Sequence, residues 1–273
     1  MMTKISGIAF ALFAVSVIAG NARAGDSLAI GDTFTLESKV LKETRRINVF
    51  TPTYYGQPFD EPLPVLYMPD GGINEDFLHV AGLVQILSAN GGMRPFLLVG
   101  IENTERRRDL TGPTEDPEDR KIAPRVGGSA AFRAFIRDEL MPEIRARYAV
   151  TDETAIVGES LAGLFIVETF LLEPGLFDTY IALDPSLWWN RRQLVNSTAT
   201  YLDGETQPAR TLFLATSNEK VITGPVQAFA AALREHPVAG LAWHYEAMPE
   251  ETHASIYHPA ALRAFREVLA PRR

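Results

Sequence analysis

The stretch AIVGESLAGLF, residues 155–165, decides how the chain is read. Its first part is a short apolar run, Ala155–Val157. Its last part opens Leu161–Leu172, which is apolar almost all round. A buried strand followed at once by a buried helix forces a sharp turn between them. The turn is Gly158-Glu159-Ser160-Leu161-Ala162, the pattern G-x-S-x-G with alanine in the last place. Small residues two before and two after the serine let strand and helix approach closely. A serine hydroxyl is a weak nucleophile and must stand clear of the backbone to meet both a base and a carbonyl. Such a turn provides that position. A serine before a helix also serves as an N-cap, so the turn alone leaves Ser160 as nucleophile or as cap.

Outward from this turn, short apolar or β-branched runs recur at Phe34–Val40, Ile47–Thr51, Val65–Met68, Phe96–Ile101, Tyr180–Leu183, Leu212–Ala215 and Ala242–Ala247. Several are nearly continuous in apolar residues, as strands buried on both faces of a parallel sheet are. Helical segments lie between the later runs. Phe132, Ile136, Leu140 and Ile144 repeat every four residues, and Pro142 predicts a kink near the end of that helix. Val226–Leu233 is alanine-rich and helical. Pro259 fits a first helical position, with Leu262, Phe265 and Leu269 on one face. Strands first, then alternating helix and strand, predict an α/β fold: a mostly parallel central sheet of about eight strands flanked by helices in one domain. The long charged stretch 103–128, NTERRRDLTGPTEDPEDRKIAPRVGG, predicts a functional or mobile loop.

The chain has 273 residues with a formal net charge of −8, and charges of both signs are interspersed. No basic face for nucleic acid is expected. The first 25 residues, MMTKISGIAFALFAVSVIAGNARAG, combine Lys4, an apolar run Ile5–Ala19 and Ala22-Arg23-Ala24. That order predicts a signal peptide over residues 1–24, a mature domain over 25–273, no membrane span after its removal, and a periplasmic or secreted location. There is no cysteine, which excludes disulfides, a thiol nucleophile and cysteine-ligated metal.

A serine nucleophile needs a histidine to take its proton, and on this kind of sheet the chain order is serine, acid, histidine. His253, in PEETHASIYHP, follows the last strand and precedes the last helix, where the base is expected; His258 is the runner-up. His79, His236 and His244 read as helix or strand residues. Glu219, after the strand TLFLAT, is the expected acid, with Asp184 and Asp203 as competitors. His253 and His258 are five apart, a spacing that does not suit paired ligands on one helix face, so neither metal nor cofactor is expected.

Several stretches together resemble the Putative esterase family of the α/β-hydrolase superfamily, which includes enterochelin-type siderophore esterases, esterase D, feruloyl and acetyl-xylan esterase modules and mycolyl transferases. They are PVLYMPDGG, LLVGIENTERRRDLTGPT, FRAFIRDELMPEIRARYAV followed by IVGESLAGLF, ALDPSLWWN and ETHASIYHPAAL. The resemblance runs from about Thr35 to the C-terminus. It implies a serine ester hydrolase with Ser160 as nucleophile, His253 as base and Glu219 as acid. It also implies an oxyanion hole from backbone N–H groups near Gly72 and at Leu161, and a small-molecule ester as substrate. The sequence departs from the family at Ala162 and Ala254, where many members have glycine, and at Asp184, where many have serine. The last puts a second carboxylate near the pocket. Arg108 in the long loop and Trp188 and Trp189 after a strand are the candidate substrate contacts. Two other readings keep the fold: an acyltransferase using the same triad, and an exported binding protein without catalysis.

Overall fold

Central strands of unbroken apolar residues can be satisfied only by cover on both faces. Three of them have it here. All five residues of Leu97–Ile101 and of Thr179–Leu183 are buried, and so are six of the seven in Leu63–Pro69. The computed structural model describes residues 28–202 and 209–271, and from Gly31 onward these form one compact unit. The expected signal peptide lies outside the described residues, as does Asp203. No helix among the described residues is long and apolar enough to cross a membrane.

In chain order the elements are β1 (Asp32–Ser38), β2 (Glu43–Phe50), β3 (Leu63–Pro69), α1 (Phe77–Asn90), β4 (Leu97–Ile101), α2 (Arg106–Asp109), α3 (Ser129–Phe135), α4 (Met141–Arg147), β5 (Val150–Glu159), α5 (Leu161–Leu172), β6 (Thr179–Leu183), α6 (Trp189–Asn196), α7 (Thr198–Leu202), β7 (Arg210–Thr216), α8 (Lys220–Glu235), β8 (Leu241–Ala247) and α9 (Tyr257–Val268). The strands form one eight-stranded sheet in the order β1-β2-β4-β3-β5-β6-β7-β8. β1 pairs antiparallel with β2, and β2 with β4; every other pairing is parallel. The α/β fold with a mostly parallel sheet is therefore as expected, and each of the eight apolar runs became a strand.

The two-residue period of a strand sorts the core into two layers. Val65, Tyr67, Val99, Ile156, Tyr180 and Leu212 share one cluster with Phe132 of α3, Phe165 of α5 and Phe229 of α8. The intervening residues face the layer where α1 packs on α9. Leu161–Leu172 is the helix expected, buried along nearly its whole length. The long amphipathic helix differs in detail. A π-helical turn at Ile136–Leu140 separates α3 from α4, and Pro142 sits in the first turn of α4. The backbone stays helical through that turn, at Phe135, Ile136, Leu140 and Met141. Pro142 thus lies within a continuing helix, and the π-turn just before it is the irregularity that accommodates its missing N–H. Pro259 falls in the first turn of α9. The stretch 103–128 is not bare loop: it contains α2 and a 3-10 turn at Asp119–Lys121.

The parallel strands β3, β5, β6 and β7 all end at one edge of the sheet, where their following turns converge. Open α/β sheets place their ligands at that edge.

Candidate active site

β5 ends at Glu159 and α5 begins at Leu161, so Ser160 alone makes the turn. Its backbone is at φ 62°, ψ −118°, a region that L-residues rarely occupy. Two neighbours hold it there. Ser160 N–H donates to Leu183 O at 3.0 Å, and Ser160 O accepts from Ser186 N–H at 3.0 Å. The tight turn needs Gly158, because a Cβ there would come within 2.6 Å of the Ala162 Cβ. Ala162 itself is fully buried, so the extra methyl group fits against that glycine.

Ser160 Oγ lies 3.0 Å from His253 Nε2. His253 Nδ1 lies 2.7 Å from Asp184 Oδ2. Asp184 is fully buried and held in turn by Ser217, whose backbone N–H donates to Oδ1 at 2.8 Å and whose hydroxyl donates to Oδ2 at 2.8 Å. A hydroxyl, an imidazole and a carboxylate thus stand in one line, the carboxylate fixing which ring nitrogen carries the proton. The bond to Asp184 raises the His253 pKa above its ordinary value against the opposing effect of burial, and the charges of Glu159, Asp184 and Glu219 add to the rise.

The acid is where the structure departs from expectation. Glu219 is exposed at the head of α8 and reaches His253 only as a distant charge. Asp184, at the end of β6, occupies the position beside Nδ1. Strands β6 and β7 are neighbours, so a turn after either one can reach the histidine. Of the other histidines, His258 packs near His79 with ring centroids 5.5 Å apart, His79 approaches Asp76, and His244 pairs with Glu267.

A second carboxylate faces the same nitrogen. Glu159 Oε1 is 3.0 Å from His253 Nδ1. Burial pushes the Glu159 carboxyl up to about 8, the His253 charge opposing and the Asp184 charge adding to the shift. Glu159, Asp184 and His253 are also the set of described residues whose ligand atoms lie within 4.8 Å of one another. The 2.7 Å between Nδ1 and Oδ2 is that of a shared proton, not of two ligands around one ion.

The expected oxyanion donors differ from one another. Leu161 N–H is at the first position of α5, where the helix supplies no acceptor. Gly72 N–H donates to Glu75 Oε2 at 2.7 Å, so it carries an internal acceptor in this structure. Beside it, buried Asp70 receives both Nε and Nη2 of Arg106, at 2.7 and 2.8 Å.

The candidate substrate contacts are placed differently from expectation. Trp189 is buried and its indole N–H donates to Gly112 O at 2.9 Å, which makes it a core residue; Trp188 beside it is half-buried. Arg108 directs its guanidinium to Glu43, Glu105 and Asp109. It is held by the scaffold, although it lines two open cavities of about 520 and 370 Å³. The arginines with charge to spare are its neighbours. Arg107 donates to Ile122 O and Arg120 to Thr114 O, and among the described residues neither contacts a carboxylate.

Comparison with known proteins bears on the family and the fold. The family model described as Putative esterase matches residues 38–219. The chain belongs to that family. A crystal structure of an IroE-like serine hydrolase from Shewanella oneidensis is 30% identical, with a TM-score of 0.78, over 88% of this chain and 80% of that one. The BES protein from Bacillus cereus shares the fold at a TM-score of 0.78 and 22% identity, over 91% of this chain and 99% of that one. Among curated relatives, the ferri-bacillibactin esterase BesA of Bacillus subtilis is 34% identical over 173 residues, 57% of this chain and 59% of that protein. A siderophore triacetylfusarinine C esterase of Aspergillus fumigatus is 32% identical over 160 residues, 52% of this chain and 50% of that protein. The matches thus span half to three fifths of these relatives' own lengths. The sheet and its flanking helices make the chain an esterase-type α/β hydrolase in fold.

Proposed function

We propose that the protein is a serine esterase that hydrolyses siderophore-type esters through an acyl-enzyme. The observation that carries this reading is the line from Ser160 Oγ through His253 to Asp184, at 3.0 and 2.7 Å. Ser160 is the nucleophile. His253 Nε2 takes its proton as Oγ attacks the ester carbonyl: the Oγ–H bond breaks as the bond from Oγ to the carbonyl carbon forms, and the ester C–O bond breaks when the tetrahedral intermediate collapses. Asp184 keeps the Nδ1 proton in place and stabilises the imidazolium. The imidazolium then gives its proton to the departing alcohol. Water, activated by the same histidine, cleaves the acyl-enzyme. Leu161 N–H meets the developing oxyanion, a donor typically worth about 3 kcal/mol. Gly72 joins it by exchanging the Glu75 carboxylate for the oxyanion.

The substrate class rests on two supports. The curated relatives above are siderophore esterases by name, and Arg107 and Arg120 lie beside the cavities that Arg108 lines, with positive charge to offer an anionic substrate. The basic, apolar and small-residue order of residues 1–24 supports action outside the cytoplasm.

Turnover of p-nitrophenyl acetate and of a ferric catecholate triester tests the reading. Ser160→Ala lowers kcat by at least about a thousandfold and loses labelling by a fluorophosphonate. A variant that keeps near-full activity overturns the nucleophile. A wild-type enzyme that cleaves acetylated xylan or methyl ferulate far faster than the triester overturns the substrate class.

A further inference from the structure

Two carboxyl groups converge on one imidazole nitrogen, although the triad uses only one. Asp184 Oδ2 and Glu159 Oε1 lie 2.7 and 3.0 Å from His253 Nδ1. The second oxygen is buried and has no hydrogen-bond partner of good geometry in the resting arrangement. A buried oxygen left in that state costs stability. Nothing in the fold requires a glutamate there, since its backbone ends β5 as any residue could.

We propose that Glu159 is a second acid for His253, a positioning residue that shares Nδ1 with Asp184 and accepts the Nδ1–H hydrogen bond when Asp184 cannot. This rests on the serine-esterase reading above. The two carboxyls come from different elements, Glu159 from the end of β5 and Asp184 from the end of β6. Either carboxyl lies within hydrogen-bond distance of Nδ1 while Nε2 stays 3.0 Å from Ser160 Oγ.

The groups that weigh most on this pair can be named, together with buried Tyr257 of α9, which also senses Glu159. His253 senses Asp184, Glu159 and, from the head of α8, Glu219. Glu159 senses His253, Asp184, Arg106 of α2 and Asp70 at the end of β3. Burial holds a proton on Glu159 near neutral pH, and Asp184 helps to hold it. Removing Asp184 takes away part of that hold, so Glu159 ionises more readily just when its charge is needed. Glu159 and His253 therefore titrate as a pair. The histidine is wholly neutral only after both protons have left. A neutral amide in place of Glu159 lets the histidine become neutral at lower pH.

Two measurements test this. The first is the pH profile of kcat/KM for Glu159→Gln: the acid limb moves to lower pH by about half a unit or more, a shift that a merely structural role would not produce. The second uses Asp184→Gly, whose backbone suits the φ of 45° at that position and which places no amide against Nδ1. Its kcat falls by about 10- to 100-fold, and adding Glu159→Gln brings the loss to the roughly 10⁴-fold seen when a triad loses its acid. An unmoved acid limb overturns the proposal, as does a double variant no slower than Asp184→Gly. The pH measurement needs only an isosteric amide, so it stands even where Asp184→Gly fails to fold. The two readings fail separately. An active Ser160→Ala sinks the esterase reading, whereas an inert Ser160→Ala with an unmoved acid limb sinks only the role of Glu159.

Discussion

Ser160 is held in a conformation that suits its chemistry and not its backbone. At φ 62°, ψ −118° a side chain is strained, typically by about 1–3 kcal/mol. Hydrogen bonds to Leu183 and from Ser186 sustain it. Glycine carries no such penalty at positive φ. Ser160→Gly is therefore expected to raise the unfolding free energy by about 1 kcal/mol while abolishing hydrolysis. Urea midpoints and turnover on the same preparation check this; a variant less stable than wild type would mean that the turn is not strained. The acid shows where residue-level reading stops. Glu219 and Asp184 both follow strands and both precede His253, so the chain order admits either one. What separates them is a hydrogen bond from Ser217 and burial beside His253, and neither leaves a mark in the sequence. Trp189 is a similar case. A tryptophan after a strand reads as a cleft residue, but the acceptor for its indole N–H comes from Gly112, 77 positions away.

At the scale of the element, β5 and α5 are the part of the fold most legible in the sequence. Their apolar residues are continuous because both are covered on every side, and the residues between are small because the two must touch. The central strands β3, β4, β6 and β7 were legible for the same reason, whereas the edge strands β1 and β8, exposed or half-buried along most of their length, were legible by their β-branched and aromatic residues. The helices were less so. Val226–Leu233 is only the middle of α8, and the rest of that helix depends on its packing beside β7 and α6. The long loop hid α2, whose four residues are held by ion pairs and not by a pattern. The tightness of the β5–α5 turn can be measured. A methyl group at position 158 would meet Ala162 Cβ at 2.6 Å and Ile166 Cδ1 at 3.2 Å. Gly158→Ala is expected to cost about 1–3 kcal/mol, as overpacking in a dense core does, and to lower kcat by pushing Ser160 away from His253. Gly158→Ala combined with Ala162→Gly recovers much of both, since the clash is chiefly between those two Cβ positions. Thermal melts and turnover of the single and double variants decide it.

Across the whole molecule, the basic loop is tied to the antiparallel side of the sheet by carboxylates. Arg108 holds Glu43 of β2, and fully buried Arg45 of β2 reaches Asp109 at 2.6 Å. These pairs fix α2, and α2 in turn places Arg106 on Asp70 beside the sheet edge that carries Ser160. Stability of the loop and function of the site are therefore linked to pH through Glu43. The hydrogen bond from Arg108 is the main cause that lowers its carboxyl from 4.5 to about 2, with Thr104 and Arg45 adding to the fall and burial opposing it. The folded-state value lies below the unfolded one. The contribution of the pair is thus complete above about 4.5 and is lost as pH falls from there toward 2. Glu43→Gln is expected to lower the unfolding free energy at pH 7 by about 1 kcal/mol, the usual value for a charged hydrogen bond reduced for its partial exposure. The difference from wild type shrinks below pH 4.5 and disappears near pH 2. Urea unfolding at pH 7, 4 and 3 reads this directly, and a gap that stays constant over that range would show that Glu43 does not act through its charge. Because the same ion pairs position α2, the variant should also lose activity at pH 7 on anionic esters more than on neutral ones.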